Sequence, residues 1–216
     1  MKYKAVLLDM DGTVLNTIED IMDSANTALR KFGFPEMELS QAAQRLGNGS
    51  RVLLTKSLPE GTADETIDRI LEFYLPYYDA HSHIKTRPYE GIPEFMEKLK
   101  NSGIKLAIIS NKPDSTVKEL AREFFAGLLE TAVGESETVK RKPIPDAVLA
   151  AAKQLGLGRK DCVYVGDSEV DVETAKRAGM DCIAVSWGFR SREQLEQAGA
   201  LNIADSVPEL FKMIVE

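Results

Sequence analysis

Four short runs, Tyr3–Leu8, Ile104–Ser110, Val163–Gly166 and Ile183–Trp187, are rich in Val, Ile and Leu and show no polar alternation. A strand with one face in water alternates apolar and polar residues, whereas a strand covered on both faces reads as a continuous apolar run. A fifth, weaker run covers Leu129–Val133. Between them, Ile92–Lys100, Ser115–Phe125, Asp146–Leu155 and Val170–Ala178 space their apolar residues three and four apart, the helical period. Gly103 and Gly179 stand just before strands, where helices commonly end. Strand and helix alternating in this way predict an α/β fold, a doubly wound parallel sheet with helices on both faces.

Residues 17–85 break the alternation. Ile18, Ile21, Met22, Ala25, Ala28 and Leu29 form one helical stripe, and Ile67, Ile70, Leu71 and Tyr74 form another. This block reads as an all-helical subdomain inserted after the first strand, with hinges near Asn16 and around His83–Pro88. The expected division is therefore 1–16 with 86–216 as one domain and 17–85 as the other. With 216 residues, 44% of them hydrophobic, the chain can bury a full core. A net charge of −7 without a long Lys/Arg block argues against nucleic acid or an anionic membrane as partner. No apolar run approaches bilayer-spanning length, and the N-terminus lacks the charged-then-apolar pattern of a secretion signal. Cys162 and Cys182 each adjoin an apolar run, as reduced buried thiols do, so a cytoplasmic location is expected.

The first strand ends in Asp9-Met10-Asp11-Gly12-Thr13. Two carboxylates so close repel unless a cation or a shared proton relieves them. They also stand at the carboxyl end of a strand, where open α/β sheets place ligands. The later strands end comparably: one in Ser110-Asn111, one in Gly166-Asp167-Ser168-Glu169-Val170-Asp171, with Lys142-Pro143 near a third. Each has an ordinary alternative. Ser110 reads equally as a helix N-cap, Lys142 as part of a solvated Lys140-Arg141-Lys142 face, and Asp171 as a first-turn partner of a helix dipole. Together they bring carboxylates, a hydroxyl and an ammonium to one rim of one sheet. Asp9, Asp167 and a main-chain carbonyl near Asp11 make a hard oxygen set that suits Mg²⁺. Lys142, Ser110 and N–H groups near Gly12 complete an anion site, most naturally for a phosphoryl group. A carboxylate nucleophile there forms an aspartyl-phosphate, and a second carboxyl two residues on can protonate the leaving group and then activate water.

In this order, Asp9–Thr13, Ser110, Lys142-Pro143 and Gly166–Asp171 resemble the four motifs of the haloacid dehalogenase superfamily. The similarity runs along nearly the whole chain, and the segment Leu46–Leu54, with Gly47-Asn48-Gly49, resembles the cap loop of the phosphoglycolate phosphatase-like branch. The resemblance implies a Rossmann-like core with a helical cap. It implies Asp9 as nucleophile, Asp11 as general acid and base, and Ser110 and Lys142 as phosphate ligands, joined by Gly12 and Asn111. Mg²⁺ would be held by Asp9, the main-chain carbonyl of Asp11 and Asp167, with Asp171 in support. Family members usually carry Asp where Asn16 stands, which puts hinge hydrogen bonding in question rather than activity.

Other signals weigh less. Gly47-Asn48-Gly49 follows a helical pattern and lacks the third glycine of a dinucleotide loop. His81 and His83, near a hinge without further ligands, read as solvated. Trp187 and Phe189 read as packing at the core rim. In the cap, Arg45, Asn48 and Arg51 are candidates to hold the substrate's leaving group, or else polar surface residues of a helix pair. The expected function is thus Mg²⁺-dependent hydrolysis of a small phosphorylated metabolite, phosphoglycolate first, by a monomer or weak homodimer. Alternatives within the superfamily are a β-phosphoglucomutase-like phosphosugar mutase, for which Arg51 would hold the second phosphate, and an inorganic pyrophosphatase. A receiver-type phospho-accepting module shares the Asp, hydroxyl, Lys and Mg²⁺ chemistry but carries no helical insert.

Overall fold

The computed structural model describes residues 2–38, 42–43 and 45–216. The chain separates into two units, Met1–Asn16 with Pro88–Glu216, and Thr17–Arg87. The return to the first unit thus falls two residues past the 85/86 boundary expected from sequence. The second unit carries α1 (Ile18–Lys31), α2 (Ser50–Ser57) and α3 (Asp64–His81), and α3 packs against both others. Most of both expected stripes is buried, Ile21, Met22, Ala25, Ala28 and Leu29 on α1 and Ile67, Ile70 and Tyr74 on α3, while Ile18 and Leu71 are half-buried. Two polar devices add to this apolar packing. Asp20, buried on α1, accepts the backbone N–H groups of Lys85 (2.9 Å) and Thr86 (2.8 Å). The Arg51 guanidinium ties α2 to α3 through Asp64 and Asp68. His81 stacks on Tyr77 with ring centroids 4.1 Å apart, and its Nδ1 lies 2.7 Å from the Tyr77 carbonyl, so it caps an aromatic ladder rather than standing in solvent.

The first unit is built on a six-stranded sheet of β1 (Ala5–Leu8), β2 (Lys105–Pro113), β3 (Thr131–Glu135), β4 (Cys162–Gly166), β5 (Asp181–Val185) and β6 (Ile203–Ala204). Its order is β3-β2-β1-β4-β5-β6 and every pair is parallel. The continuous apolar runs have a simple cause. Val6, Leu8, Leu106, Ile108, Val163 and Val165 point to one face, against α4 (Ile92–Asn101), α5 (Asp114–Phe125) and α9 (Val207–Val215). Ala5, Leu7, Ala107, Ile109, Cys162 and Tyr164 point to the other, against α6 (Asp146–Gln154) and α7 (Glu169–Ala178). Alternation is present, but both faces are dry. A short α8 (Arg192–Gln197) covers β5 and β6 through Leu195. Among the described residues no helix is long and apolar enough to cross a membrane.

The strand order turns back at β1. From there the chain builds outward through β2 and β3, then returns to add β4, β5 and β6 on β1's other side. Such a switch point opens a crevice at the carboxyl ends of the central strands, and ligands bind there.

Candidate active site

Asp9 and Asp167 each follow the last residue of a central strand, β1 and β4, and so stand on the two sides of that crevice. The Asp9 N–H continues the ladder to Val165 O at 2.8 Å, fixing its backbone, while Oδ1 accepts the Met10 N–H at 2.7 Å. Asp171 enters from the first turn of α7. Its Oδ2 accepts the Ser168 hydroxyl (2.6 Å) and N–H (3.1 Å), a capping box that starts the helix. Its Oδ1 faces the Lys142 ammonium at 2.8 Å. The dipole-partner reading of Asp171 therefore holds for one oxygen while the other serves the cluster. Carboxylate oxygens of Asp9, Asp167 and Asp171 lie within 4.8 Å of one another, all three residues buried.

The opposite charge comes from β2 and from the segment before α6. Lys142 Nζ lies 2.8 Å from Asp9 Oδ1 and is buried, not solvated. Asn111 fixes its main chain reciprocally: the Asn111 side-chain oxygen accepts the Lys142 N–H at 2.7 Å and its amide donates to Lys142 O at 3.2 Å. The Lys142–Pro143 peptide is cis. Ser110, Asn111 and Lys112 sit where the ladder to β3 slips, β2 advancing from Ile109 to Pro113 while β3 advances from Val133 to Glu135. Such an irregularity re-aims side chains at a strand end. Ser110 is accordingly a strand residue rather than the cap of α5, whose N-cap is Pro113. Its hydroxyl donates to Asp11 Oδ2 at 3.4 Å, and the Lys112 ammonium meets Asp11 Oδ1 at 2.7 Å.

Gly12 is required here for two reasons. Its φ of +79° suits glycine, and a Cβ would overlap the Asp167 carboxylate. Its N–H is given to Leu15 O at 2.9 Å. A Cβ at Gly188 would likewise overlap Asp167, and Gly12 O as well. Asp167 Oδ2 accepts the Phe189 N–H at 2.6 Å, while Trp187 donates its indole N–H to Thr13 O at 3.1 Å, so the rim aromatics also organise the site through hydrogen bonds.

Four carboxylates (Asp9, Asp11, Asp167, Asp171) meet two ammonium groups (Lys112, Lys142), leaving negative charge in excess. Burial first, then the charge of Asp171, pushes the Asp9 carboxyl well above the ordinary range against the pull of Lys142. The same two causes push Asp167 up to about 7. Burial disfavours the Lys142 ammonium, but Asp171 and Asp9 outweigh it and the net shift is upward. A buried, oxygen-only, over-negative cluster of this kind fits a hard divalent cation.

All core residues expected from sequence are thus gathered in one unit. Arg45, Asn48 and Arg51 belong to the helical unit, where Arg51 pairs with Asp64 and Asp68. Sequence reading passed over Lys112, Tyr164 and Arg190. Tyr164 Oη lies 2.9 Å from Lys142 Nζ, and the buried Arg190 binds Glu169 at 2.7 Å beside Asp167. Lys112 had a signal, its place two residues beyond Ser110; a tyrosine inside an apolar strand had none.

The family model "Haloacid dehalogenase-like hydrolase" matches residues 6–185. Phosphoglycolate phosphatase 1 of Pseudomonas aeruginosa is 30% identical over 214 residues, spanning 96% of this chain and 78% of the relative. A crystal structure of a presumptive phosphoglycolate phosphatase from Lactobacillus delbrueckii subsp. bulgaricus superposes with a TM-score of 0.96 at 38% identity, covering 99% of both chains. CbbY from Rhodobacter sphaeroides, in complex with xylulose-(1,5)bisphosphate, superposes at 0.76 with 25% identity over 96% of each chain. With a match across most of its length and the four strand-end motifs converging on one crevice, the chain belongs to the haloacid dehalogenase-like hydrolase family.

Proposed function

We propose that the protein is a Mg²⁺-dependent phosphatase that hydrolyses a small phosphate monoester through a phosphorylated Asp9, with phosphoglycolate as the first candidate substrate. One observation carries this reading: a buried strand-end carboxylate, Asp9, lies 2.8 Å from the buried ammonium of Lys142, with a second carboxylate, Asp11, two residues on. The name of the P. aeruginosa relative supports the choice of first substrate.

Asp9, Asp167 and the main-chain carbonyl of Asp11 would hold Mg²⁺, supported by Asp171, and the bound ion would offset phosphoryl charge beside the nucleophile. The chain's own groups do the rest. An Asp9 oxygen attacks phosphorus as the bond to the leaving oxygen breaks, and Asp11 gives that oxygen its proton. Asp11 then takes a proton from water, which attacks the phosphorus of the aspartyl-phosphate and frees Asp9 and inorganic phosphate. Lys142 and Ser110 donate to the phosphoryl oxygens, where negative charge must be stabilised. Asn111 acts on this step by fixing the Lys142 main chain, and Gly12 by letting the backbone pass close to Asp167. The proposal includes a monomer or weak homodimer in the cytoplasm, a location that the two free cysteines, Cys162 and Cys182, support.

The test is phosphate release with Mg²⁺ from a panel of phosphoglycolate, sugar mono- and bisphosphates, nucleotides and pyrophosphate. Phosphoglycolate should give the highest kcat/KM, and Asp9→Asn should lose activity by several orders of magnitude. Release from no member of the panel, or undiminished turnover in Asp9→Asn, overturns the reading. Isomerisation of a hexose 1-phosphate without release would favour a mutase.

A further inference from the structure

β4 reads Cys162-Val163-Tyr164-Val165-Gly166 and is buried at every position. Tyr164 lies fully inside the apolar layer formed with Leu7, Ile109 and Ala151. A hydroxyl there destabilises the fold if left unpaired. It is paired twice, 2.9 Å from Lys142 Nζ and 3.0 Å from Asp171 Oδ1. Lys142 and Asp171 are themselves 2.8 Å apart, which closes a triangle.

The direction of each bond follows from what the groups can do. An ammonium has three N–H donors and accepts nothing. Lys142 spends them on Asp9 Oδ1, Asp171 Oδ1 and Tyr164 Oη. Tyr164 must therefore accept from Lys142, and its one proton goes to Asp171. When a phosphoryl oxygen arrives at Asp9, Lys142 has to exchange one of its three bonds. The bond to Asp9 is the one made to the proposed nucleophile; the other two, to Asp171 and Tyr164, can persist and keep the ammonium in place.

Resting on the phosphatase reading, we propose that Tyr164 is a positioning residue: its hydroxyl locks the Lys142 ammonium to the Asp171 carboxylate, so that the phosphate ligand and a carboxylate of the metal cluster are held as one unit. Phe at this position would leave one Lys142 N–H unsatisfied and take one of two donors from Asp171 Oδ1, which Lys142 alone would then hold. Two properties then fall together, the affinity of the carboxylate cluster for Mg²⁺ and the rate of phosphoryl transfer.

The experiment compares wild type, Tyr164→Phe and Val163→Ala, the last removing packing from the same strand without touching the triangle. Mg²⁺ alone is titrated by calorimetry with no substrate present, and kcat and KM are measured on p-nitrophenyl phosphate. Tyr164→Phe should weaken the Mg²⁺ Kd about tenfold and lower kcat by about 10- to 100-fold, the loss typical of a partner behind a ligand. Val163→Ala should keep the wild-type Kd and kcat while losing stability. Tyr164→Leu, which removes the hydroxyl in a different packing background, should show the same two losses as Tyr164→Phe. A wild-type Mg²⁺ affinity or a wild-type kcat in folded Tyr164→Phe overturns the proposal, as do equal losses in Val163→Ala. If wild type releases phosphate from no ester, the phosphatase reading fails on its own, and the Mg²⁺ titration alone decides the role of Tyr164.

Discussion

Asp11 is held from two sides, its Oδ1 by the Lys112 ammonium at 2.7 Å and its Oδ2 by the Ser110 hydroxyl at 3.4 Å. The proton transfer proposed for Asp11 needs that carboxyl to be aimed, and the Lys112 ion pair is the shorter of these two contacts. Lys112→Met should therefore slow alkyl phosphates by about 10-fold or more, and aryl phosphates far less, because a good leaving group needs little help from an acid. An equal loss on both classes would show that Lys112 serves only the fold. The two thiols make a different expectation. Burial pushes Cys162 up to about 11 and Cys182 up to about 12, so neither is a thiolate at neutral pH. Iodoacetamide at pH 7.5 should label neither in the folded protein and both after denaturation; stoichiometric labelling of the native protein contradicts this. Sequence made Asp9, Asp11, Asp167 and Asp171 conspicuous because charges at the end of apolar strands demand an explanation. Tyr164 carries no such demand: among Val163 and Val165 it reads as core, and only the position of Lys142 gives its hydroxyl a purpose.

At the scale of elements, α7 begins where the site requires it. Gly166 allows this, since a Cβ there would overlap Asp171 Cβ and Cγ. Gly166→Ala should displace the first turn of α7 and cost both stability and Mg²⁺ affinity, read by urea unfolding and calorimetry; wild-type values of both would contradict the packing. In the helical unit, Asp20→Ala leaves the Lys85 and Thr86 N–H groups without their acceptor and should cost about 1–3 kcal/mol in the urea transition. A change below about 0.5 kcal/mol, the usual size of a surface substitution, would assign that carboxylate no structural role. The central strands were legible because burial on both faces leaves an unbroken apolar record. β6, only Ile203–Ala204, is too short to carry a period. α9 was overlooked although Ser206-Val207-Pro208-Glu209 is a helix start, Ser206 accepting the Glu209 N–H at 3.4 Å. The slip of β2 at Ser110–Lys112 lay beyond sequence, since it depends on how β3 pairs.

For the molecule as a whole, the charge imbalance at the crevice makes stability a test of the proposed Mg²⁺ site. Mg²⁺ at about ten times its Kd should stabilise the native state by about 1.4 kcal/mol, and a chelator should abolish the gain. Asp167→Asn should erase this dependence; a Tm indifferent to Mg²⁺ in wild type would count against the carboxylate cluster as a metal site. Doubly wound topology brings Asp9, Ser110, Lys142 and Asp167 into one unit from distant parts of the chain, and a β-α alternation read from sequence already implies that rim. It does not give distances, and so does not say which ammonium serves which carboxylate. The most direct measurement is mass spectrometry of the acid-quenched enzyme during turnover of phosphoglycolate with Mg²⁺. One phosphoryl group should appear on the peptide that contains Asp9, and none in Asp9→Asn. Phosphate released at the wild-type rate by Asp9→Asn, or a phosphoryl group found on any other residue, would contradict the account.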